Sequence, residues 1–459
     1  MHIKFKSHIH IMAKLISLRK GLDINISGSA PVNPPVNVSP ALCAVVPDDY
    51  KGIVPKIDVK EGDEVLVGTP LFHDKQFYDI KVVSPVAGTV KAVVRGERRK
   101  LERIVIEPSA EADKCVTLDT KAGTDPTMVQ RLLLDSGLWA MMRQRPYGIV
   151  PRPGVVARDI FITAFDSAPL APEFEAFIAD KVQMLDDAIK FLKPLTSGNI
   201  YIGIRPGSKL EALKNAEVVA FEGPHPAGNA GVQIANIKPV NKGEQVWTLD
   251  LPTLLRIGTL LSTGKLNYDT IVAVTGCKVS APKYINTKAG ADMASILAGN
   301  LAGNNGEHIR IISGNVLTGI PVSAEGFLRY PYYQVTVIPE GDDCSEFMGW
   351  ASLSTDKMSV NHSFPGHFLK RAFCPDARLH GGRRAMIMSG VYEKVLPMDI
   401  MPEYLIKACI ARNLDRMEQL GIYEIVPEDI ALCEYVDPSK LELQKILQDG
   451  IDYVYNELS

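Results

Sequence analysis

The chain has 459 residues, about three times the length of a typical single domain, so two to four domains are expected. Its 50 basic and 53 acidic side chains leave a formal net charge of −3, which argues against a dedicated nucleic-acid binder. With 46% hydrophobic and 22% charged residues, the composition is that of a folded globular protein rather than a disordered or fibrous one.

The N-terminal residues and the hydrophobic stretches bear on location. The first eleven residues, MHIKFKSHIHI, lack the apolar core of a signal peptide, so secretion is not expected. No stretch reaches the roughly 18 consecutive apolar residues of a membrane-spanning helix. The sequence therefore predicts a cytoplasmic chain without a transmembrane segment.

A β-rich domain is predicted over residues 12–115. Alternating apolar residues and Gly/Asp turns form the phrases KEGDEVLVGTPL at 60–71 and SPVAGTV at 84–90. These phrases resemble the two halves of barrel-sandwich hybrid domains, which carry lipoyl or biotinyl groups. The residues between them lack the pattern of a modified lysine, so Lys75 and Lys81 are interpreted as solvated side chains and the domain as a scaffold.

An α/β domain is predicted over residues 116–262. Apolar residues recur there at spacings of three and four, and short β-branched runs precede glycine-rich turns near 199 and 217. This alternation of helices and strands predicts a Rossmann-like layer.

One glycine-rich turn in this domain, GPHPAGNAG, is a candidate phosphate-binding loop. It contains Gly223, Gly228 and Gly231, and His225 is a potential ligand or proton donor, although a single loop histidine is usually structural or exposed. The spacing matches neither GxGxxG nor a P-loop, and two prolines remove amide donors from the turn. Binding of a nucleotide through this loop is therefore not expected.

The C-terminal part is predicted to contain three regions. A strand, turn, strand, helix, strand order over 263–325 favours a β-grasp unit and resembles the soluble-ligand-binding β-grasp (SLBB) family. A mixed β region follows over 326–398, with a strand at 330–338. Helices occupy 399–459.

Two helices are predicted in that last region. The first begins after Asp399, has Ile406, Ile410 and Leu414 on its apolar face, and ends at Gly421. The second follows the Asp-Pro pair at 437–438.

Recognisable catalytic and metal-binding patterns are absent from the sequence. It contains no P-loop, nucleophile elbow or dinucleotide fingerprint, and His362 and His367 do not have the spacing of a helical zinc site. Seven scattered cysteines without a CxxC pair predict reduced thiols rather than a disulfide framework or a metal site. No catalytic residue and no metal ligand is assigned.

Six long phrases in the same order resemble the A subunit of the sodium-translocating NADH:quinone reductase over nearly the whole chain, from about Met12. Residues 1–11 are therefore interpreted as an upstream extension. These phrases are LRKGLDINISG, LLDSGLWAMMRQRPYGIVP, FITAFDSAPLAP, FEGPHPAGNAG, IISGNVLTG and FMGWASL. The resemblance implies an α+β and α/β multidomain chain that has a barrel-sandwich hybrid, a Rossmann-like layer, an SLBB-like unit and a helical C-terminus.

The same resemblance implies that the chain is one subunit of a larger complex. Members of the family are peripheral subunits on the cytoplasmic face of the bacterial inner membrane, in a six-subunit complex that oxidises NADH, reduces ubiquinone and exports Na⁺. The implied partners are the five other subunits, B to F, which carry the complex's flavins (FAD, FMN and riboflavin) and iron–sulfur centres.

The family is also similar to the C subunit of the Rnf complex and to the flavoprotein subunit of respiratory complex I, which hold an iron–sulfur cluster on clustered cysteines. Here Cys409 and Cys433 stand apart, so no cluster is expected. The proline-containing glycine loop is likewise interpreted as a degenerate flavin or nucleotide cradle. The chain is therefore expected to bind no redox cofactor of its own.

Quinone binding, which the resemblance implies, is assigned to two segments. VPDDYKG contains Asp49, Tyr50 and Gly52, and RPYGIVP contains Arg145 and Tyr147. A tyrosine can stack on or hydrogen-bond a quinone ring, and an arginine can polarise its carbonyl. The alternative is structural: Tyr50 packs in the barrel and Arg145 caps a helix.

Three functions follow from these patterns. The leading hypothesis is an accessory subunit that supports assembly and the quinone-reducing end of the complex. A second is a flavin- or NADH-binding electron-transfer subunit that uses the Rossmann-like layer. A third is a lipoyl-like carrier modified at Lys75 or Lys81.

Overall fold

The computed structural model describes residues 13–120, 123, 125–178, 180–302, 308–342, 355, 357, 360, 364–369, 371–379 and 381–458. The extension proposed for 1–11 lies outside these residues. The strands of the protein are β1 (Lys14–Ser17), β2 (Val36–Asn37), β3 (Cys43–Val45), β4 (Pro55–Ile57), β5 (Glu64–Val65), β6 (Pro70–Asp74), β7 (Lys81–Val83), β8 (Gly88–Arg95), β9 (Leu101–Pro108), β10 (Arg143–Arg145), β11 (Ile160–Thr163), β12 (Ile200–Ile204), β13 (Glu217–Glu222), β14 (Val246–Asp250), β15 (Asp269–Thr275), β16 (Lys283–Lys288), β17 (Ile309–Ser313), β18 (Ile320–Val322) and β19 (Gln334–Pro339).

The helices follow the same chain order. They are α1 (Pro126–Asp135), α2 (Glu175–Ile178), α3 (Val182–Leu192), α4 (Ala230–Ile237), α5 (Leu251–Thr263), α6 (Met293–Leu297), α7 (Tyr392–Val395), α8 (Pro402–Ile410), α9 (Leu414–Gln419), α10 (Ala431–Val436) and α11 (Leu443–Leu458). Within the described ranges, no helix is long and apolar enough to cross a bilayer.

The predicted barrel-sandwich hybrid is confirmed. Two small antiparallel sheets, β3-β9-β8-β5 and β4-β6-β7, enclose a core that includes Leu71, Phe72 and Val86. Gly62 and Gly68 occupy the left-handed backbone region at tight turns, with φ of 88° and 93°. The alternating pattern of the two sequence phrases thus places one face of each short strand in this core.

The predicted α/β layer is a six-stranded sheet in the order β1-β13-β12-β11-β14-β10, parallel except for β10. Local chemistry sets the limits of α5 beside it. The Asp250 side chain accepts a hydrogen bond from the Thr253 amide at 2.8 Å, which caps the helix start. Gly264 ends the helix in the left-handed region.

The first 30 described residues, 13–42, precede the first barrel strand, β3, and their two strands pair with other sheets. Strand β1 pairs in parallel with β13 of the α/β sheet, and β2 pairs in parallel with β16 of the β-grasp sheet. The chain therefore contributes one strand to each of two other sheets before the barrel begins at β3. Such short edge strands carry no sequence signal that identifies their partner.

The β-grasp sheet has the order β18-β17-β19-β15-β16-β2, with α6 in the same unit. Strand β19 lies between β17 and β15, so the sheet of this unit also includes Gln334–Pro339. The strand predicted at 330–338 begins only at Gln334. Pro331 lacks the amide proton that a ladder position near the strand start would use. The described part of 326–398 is otherwise loops and short helices.

The C-terminal region is helical as predicted, but its first predicted helix is two helices. The chain turns between α8 and α9, where Arg412 has a φ of 50° and the Asn413 side chain caps α9 by accepting from the Arg416 amide. Ile410, predicted to face the core, is 55% exposed at the end of α8. The turn rotates the apolar stripe of α9 relative to that of α8.

The cysteines differ in part from the prediction. Cys277 and Cys374 form a disulfide across 97 positions, so the expectation that all seven thiols are reduced is wrong for this pair. Cys43, Cys409 and Cys433 are buried, and burial raises the pKa of Cys409 to about 12. These buried thiols pack as small apolar side chains.

Candidate functional site

The two segments predicted to bind quinone lie side by side. The Val150 amide donates a hydrogen bond to the Lys51 carbonyl at 2.9 Å. Gly52 has a φ of 87°, and a Cβ placed on it would lie 2.8 Å from the Ile149 Cβ. The residue after Tyr50 and the residues after Tyr147 therefore form one junction between the barrel and the α/β layer.

Asp49 links this junction to the β-grasp unit through hydrogen bonds. Its carboxylate accepts hydrogen bonds from Nε of Arg329 at 2.8 Å and from the Tyr330 amide at 3.1 Å. The Arg143 side chain donates to the Asp49 carbonyl oxygen at 2.8 Å. Burial raises the pKa of the Asp49 carboxyl, and the Arg329 guanidinium opposes that increase.

Tyr50 is buried between aromatic rings of two domains. Its ring stacks on that of Tyr330, with centroids 5.4 Å apart, and meets Phe72 edge-on at 6.2 Å. Burial raises the pKa of its hydroxyl. As placed, the Tyr50 ring joins the barrel to the β-grasp unit.

Arg145 does not cap a helix; it ends the edge strand β10 and is only 3% exposed. Its two terminal nitrogens donate to Asp429 at 2.7 Å and to Glu428 at 2.6 Å. Burial alone would lower the pKa of the guanidinium, but the two carboxylates outweigh burial and raise it. This buried group links the α/β layer to the C-terminal helical region.

Tyr147 differs from Tyr50 because it is half-buried and lies in an aromatic cluster with Phe77, Arg152 and Tyr455, here called the Tyr147 cluster. The Tyr147 and Tyr455 rings meet edge-on with centroids 5.1 Å apart. The Arg152 guanidinium lies 5.6 Å from the Phe77 ring centroid and hydrogen-bonds the Tyr455 hydroxyl. Tyr147 has a φ of 81°, a strained conformation for a non-glycine residue. The cluster offers aromatic faces and a cation at one partly exposed place.

The glycine loop follows β13 at the carboxyl edge of the parallel strands. A Cβ on Gly223 would collide with the Leu18 carbonyl, and one on Gly228 would lie 2.7 Å from the Ser167 amide nitrogen. The Gly228 amide itself donates to the Ser167 hydroxyl at 2.8 Å. These two glycines therefore permit close contact with neighbouring chain segments.

Gly231 lies in the first turn of α4, where an anion-binding loop would place its phosphate. A Cβ on Gly231 would collide with the Asp429 carboxylate. That carboxylate also accepts from the Val426 amide at 3.0 Å and from Arg145. The positive end of α4 thus already faces a carboxylate of the same chain, and the residues present do not fit a flavin or nucleotide phosphate.

His225 is buried in the same loop. Its Nδ1 lies 3.0 Å from the Ser167 hydroxyl, and its amide donates to Asp23 at 2.9 Å. Burial lowers the pKa of the imidazole, while the charges of Asp166 and Asp23 oppose that decrease.

Protonation of His225 is predicted to cost stability. Because the folded-state pKa lies below the unfolded value, the unfolded chain binds more protons near pH 6, so the free energy of unfolding falls as pH falls. The variant H225Q removes this group. Between pH 7 and pH 5 wild type should lose about 1 kcal/mol more than H225Q, measured by chemical unfolding at each pH. Parallel pH profiles would contradict the assignment.

The partners of the predicted residues were not foreseen from the sequence. Glu428 and Asp429 lie more than 280 positions from Arg145, and Arg329 lies 280 positions from Asp49. The one local signal was an acidic pair directly after Pro427, typical of the first turn of a helix. This acidic pair indicates the start of a helix, but it does not indicate that the pair binds Arg145.

The remaining candidates are the two lysines of the barrel domain and the histidine pair considered for a metal site. Lys75 is exposed in the turn between β6 and β7, and Lys81 forms an ion pair with Asp135 at 3.2 Å. The side chains of His362 and His367 lie outside the described residues. In the part of the chain that the structure covers, no group of three or more His, Cys, Asp or Glu side chains is arranged to hold a metal.

Three family models match the chain in order: the NqrA N-terminal barrel-sandwich hybrid domain over 16–109, the NqrA second alpha/beta domain over 124–266 and the NQRA C-terminal domain over 271–324. Among solved structures, an NAD⁺-reducing [NiFe]-hydrogenase in the air-oxidized state is similar over 73% of this chain and 62% of its own, with a TM-score of 0.39 and 12% identity.

Full-length relatives give the stronger comparison. The chain is 37% identical over 457 residues to the A subunit of the Na(+)-translocating NADH-quinone reductase of Yersinia pseudotuberculosis serotype O:1b (strain IP 31758), covering 96% of this chain and 100% of the relative. It is 35% identical over 459 residues to the protein of that name from Rhodopirellula baltica (strain DSM 10527 / NCIMB 13988 / SH1), covering 96% and 98%. The chain therefore belongs to the family formed by the A subunits of the Na⁺-translocating NADH-quinone reductases.

Proposed function

We propose that the chain is a peripheral subunit on the cytoplasmic face of the bacterial inner membrane. In this proposal it supports assembly of the complex with the B to F subunits and contributes to the end at which ubiquinone is reduced. Flavins, iron–sulfur centres and the path of Na⁺ belong to those other subunits. The barrel, the α/β layer, the β-grasp unit and the helical region act together as a scaffold.

The observation that carries this proposal is the junction around Arg145. Ion pairs from Arg329 to Asp49 and from Arg145 to Asp429 join the barrel, the α/β layer, the β-grasp unit and the C-terminal region. Lys51 adds a hydrogen bond to Gln448 of α11 at 2.9 Å. Buried ion pairs that span four units favour one fixed arrangement, as a docking subunit needs.

The same junction disfavours the flavin- or NADH-binding alternative. A phosphate at the start of α4 would have to displace the Asp429 carboxylate, which is hydrogen-bonded to Arg145 and to the Val426 amide. A phosphate and the Asp429 carboxylate are both negative, and like charges that lie close together in a buried place repel strongly. We therefore infer that the α/β layer supports neighbouring domains and binds no flavin or nucleotide.

For ubiquinone, we propose the Tyr147 cluster as the contact. Its rings can stack on a quinone, and the Arg152 guanidinium can donate a hydrogen bond to a quinone carbonyl. Tyr50, Asp49 and Arg145 are held by protein partners, so their proposed role is to position the segment that carries Tyr147.

Purification of the tagged chain from its native membranes in mild detergent tests the assembly proposal. The expected result is recovery of membrane-embedded subunits and an NADH-oxidising flavoprotein, identified by mass spectrometry. The chain separated from them should contain less than stoichiometric flavin by absorbance. Stoichiometric flavin in the isolated chain would support the electron-transfer alternative, and an acyl adduct on Lys75 or Lys81 would support the carrier alternative.

A further inference from the structure

An open groove of about 510 Å³ lies on the surface of the barrel-sandwich domain. The residues that the argument uses line it: Asp58, Asp63, Glu64, His73 and Tyr78. None of them belongs to the Tyr147 cluster or to the glycine loop.

The groove has an excess of negative charge. Asp63 accepts a hydrogen bond from a backbone amide, and within the described ranges neither Asp63 nor Glu64 forms an ion pair with a cationic side chain. Lys81, the cation in the lining, is already bound to Asp135. The walls thus concentrate a negative potential in a concave space.

A buried histidine is oriented toward this space. His73 is only 4% exposed, and its Nδ1 lies 2.7 and 2.8 Å from the two carboxylate oxygens of Asp58. Because a carboxylate only accepts hydrogen bonds, Nδ1 carries a proton and donates to Asp58. This hydrogen bond holds the Asp58 carboxylate in the wall of the groove.

An exposed aromatic ring completes the lining. Tyr78 is 66% exposed, and its ring centroid lies 4.4 Å from that of His73. A surface tyrosine beside carboxylates is the environment in which an arginine side chain gains both ion pairs and a cation–π contact. Carboxylates and a ring face together match a guanidinium.

We propose that this groove, here called the acidic groove, docks an arginine-containing basic segment of another subunit of the complex. The proposal rests on the cytoplasmic position proposed above, because cytoplasmic loops of membrane proteins carry an excess of Lys and Arg. Anionic lipid headgroups are repelled by the same carboxylates, so charge complementarity favours a protein segment over the bilayer surface.

The test compares two double variants in cells that produce the whole complex. D63N/E64Q removes two charges from the acidic groove while keeping side-chain shape. E97Q/E102Q removes two exposed charges from the β8–β9 hairpin of the same domain and serves as the matched control. Membranes are washed with increasing NaCl, and the chain that remains is quantified together with quinone turnover.

We expect D63N/E64Q to leave the membranes at lower salt, with about tenfold less chain retained at the concentration that releases half of the wild type. E97Q/E102Q should be released like wild type. Y78A, which changes an exposed side chain, should weaken retention in the same direction.

Equal release of wild type and D63N/E64Q would overturn the proposal, and so would lower quinone turnover with unchanged retention. A third outcome would also overturn the proposal. If the released wild-type chain is a dimer and released D63N/E64Q is a monomer, with membrane retention unchanged, the groove binds a second copy of this chain instead. A failure of quinone binding at the Tyr147 cluster leaves salt release unaffected, so the two proposals fail separately.

Discussion

The variant Asp429→Ala is expected to lower the free energy of unfolding by about 3–5 kcal/mol, enough to unfold much of the chain near body temperature. The alanine leaves Arg145, which is 3% exposed, with half of its carboxylate partners. It also removes the acceptor for the Val426 amide. Thermal unfolding and soluble yield measure the effect.

The control is an ion pair at the surface. Arg383 and Glu442 are paired at 2.7 Å, but their side chains are 67% and 51% exposed, so Glu442→Gln should cost less than about 1 kcal/mol. Asp429→Asn, which keeps the shape of the side chain, should fall between the two variants. An Asp429→Ala chain as stable as Glu442→Gln would show that the Arg145 junction does not hold the domains together.

Elements with local chemistry were predictable from the sequence. The barrel phrases alternate apolar residues with turn glycines, so burial of one face follows directly from the strand period. The start and end of α5 could be anticipated from Asp250 and Gly264, because capping depends on residues within one turn. Family-wide phrases added the order of the domains.

Pairings across long stretches of chain were not predictable. Strands β1 and β2 are two to four residues long, and their partners follow more than 200 positions later. The Cys277–Cys374 disulfide and the Arg145–Asp429 ion pair span 97 and 284 positions. Each depends on how finished domains meet, which residue spacing in a single sequence does not encode.

The candidate site shows the same limit. In sequence Tyr50 and Tyr147 look alike, since each is a tyrosine in a short Pro/Gly-containing loop. In the structure Tyr50 is buried between Tyr330 and Phe72, whereas Tyr147 is half-buried and meets Tyr455 and Tyr423 edge-on. Only the tertiary contacts distinguish the enclosed Tyr50 ring from the half-buried Tyr147 ring, for which we propose the contact with ubiquinone.

Replacement of the two tyrosines in the assembled complex should therefore have different effects. Tyr50→Ala removes a ring enclosed by two aromatic neighbours and is expected to cost about 3–5 kcal/mol of stability. Tyr50→Phe keeps the ring and should cost less than about 1.5 kcal/mol, with the KM for ubiquinone unchanged. Thermal unfolding and quinone kinetics on the same preparations measure both.

Tyr147→Ala is expected to raise the KM for ubiquinone up to about tenfold, because a stacked ring contributes roughly 0.5–1.5 kcal/mol to binding and tenfold corresponds to about 1.4 kcal/mol. It should cost less stability than Tyr50→Ala, because the Tyr147 ring is only half-buried. Tyr453→Ala is the control, since Tyr453 is a half-buried tyrosine of α11 beside Arg412 and outside the Tyr147 cluster. Its KM should equal that of wild type. If Tyr147→Ala and Tyr453→Ala have the same KM, ubiquinone does not contact the Tyr147 cluster, and the chain's role at the quinone end is confined to holding the domains of the complex in place.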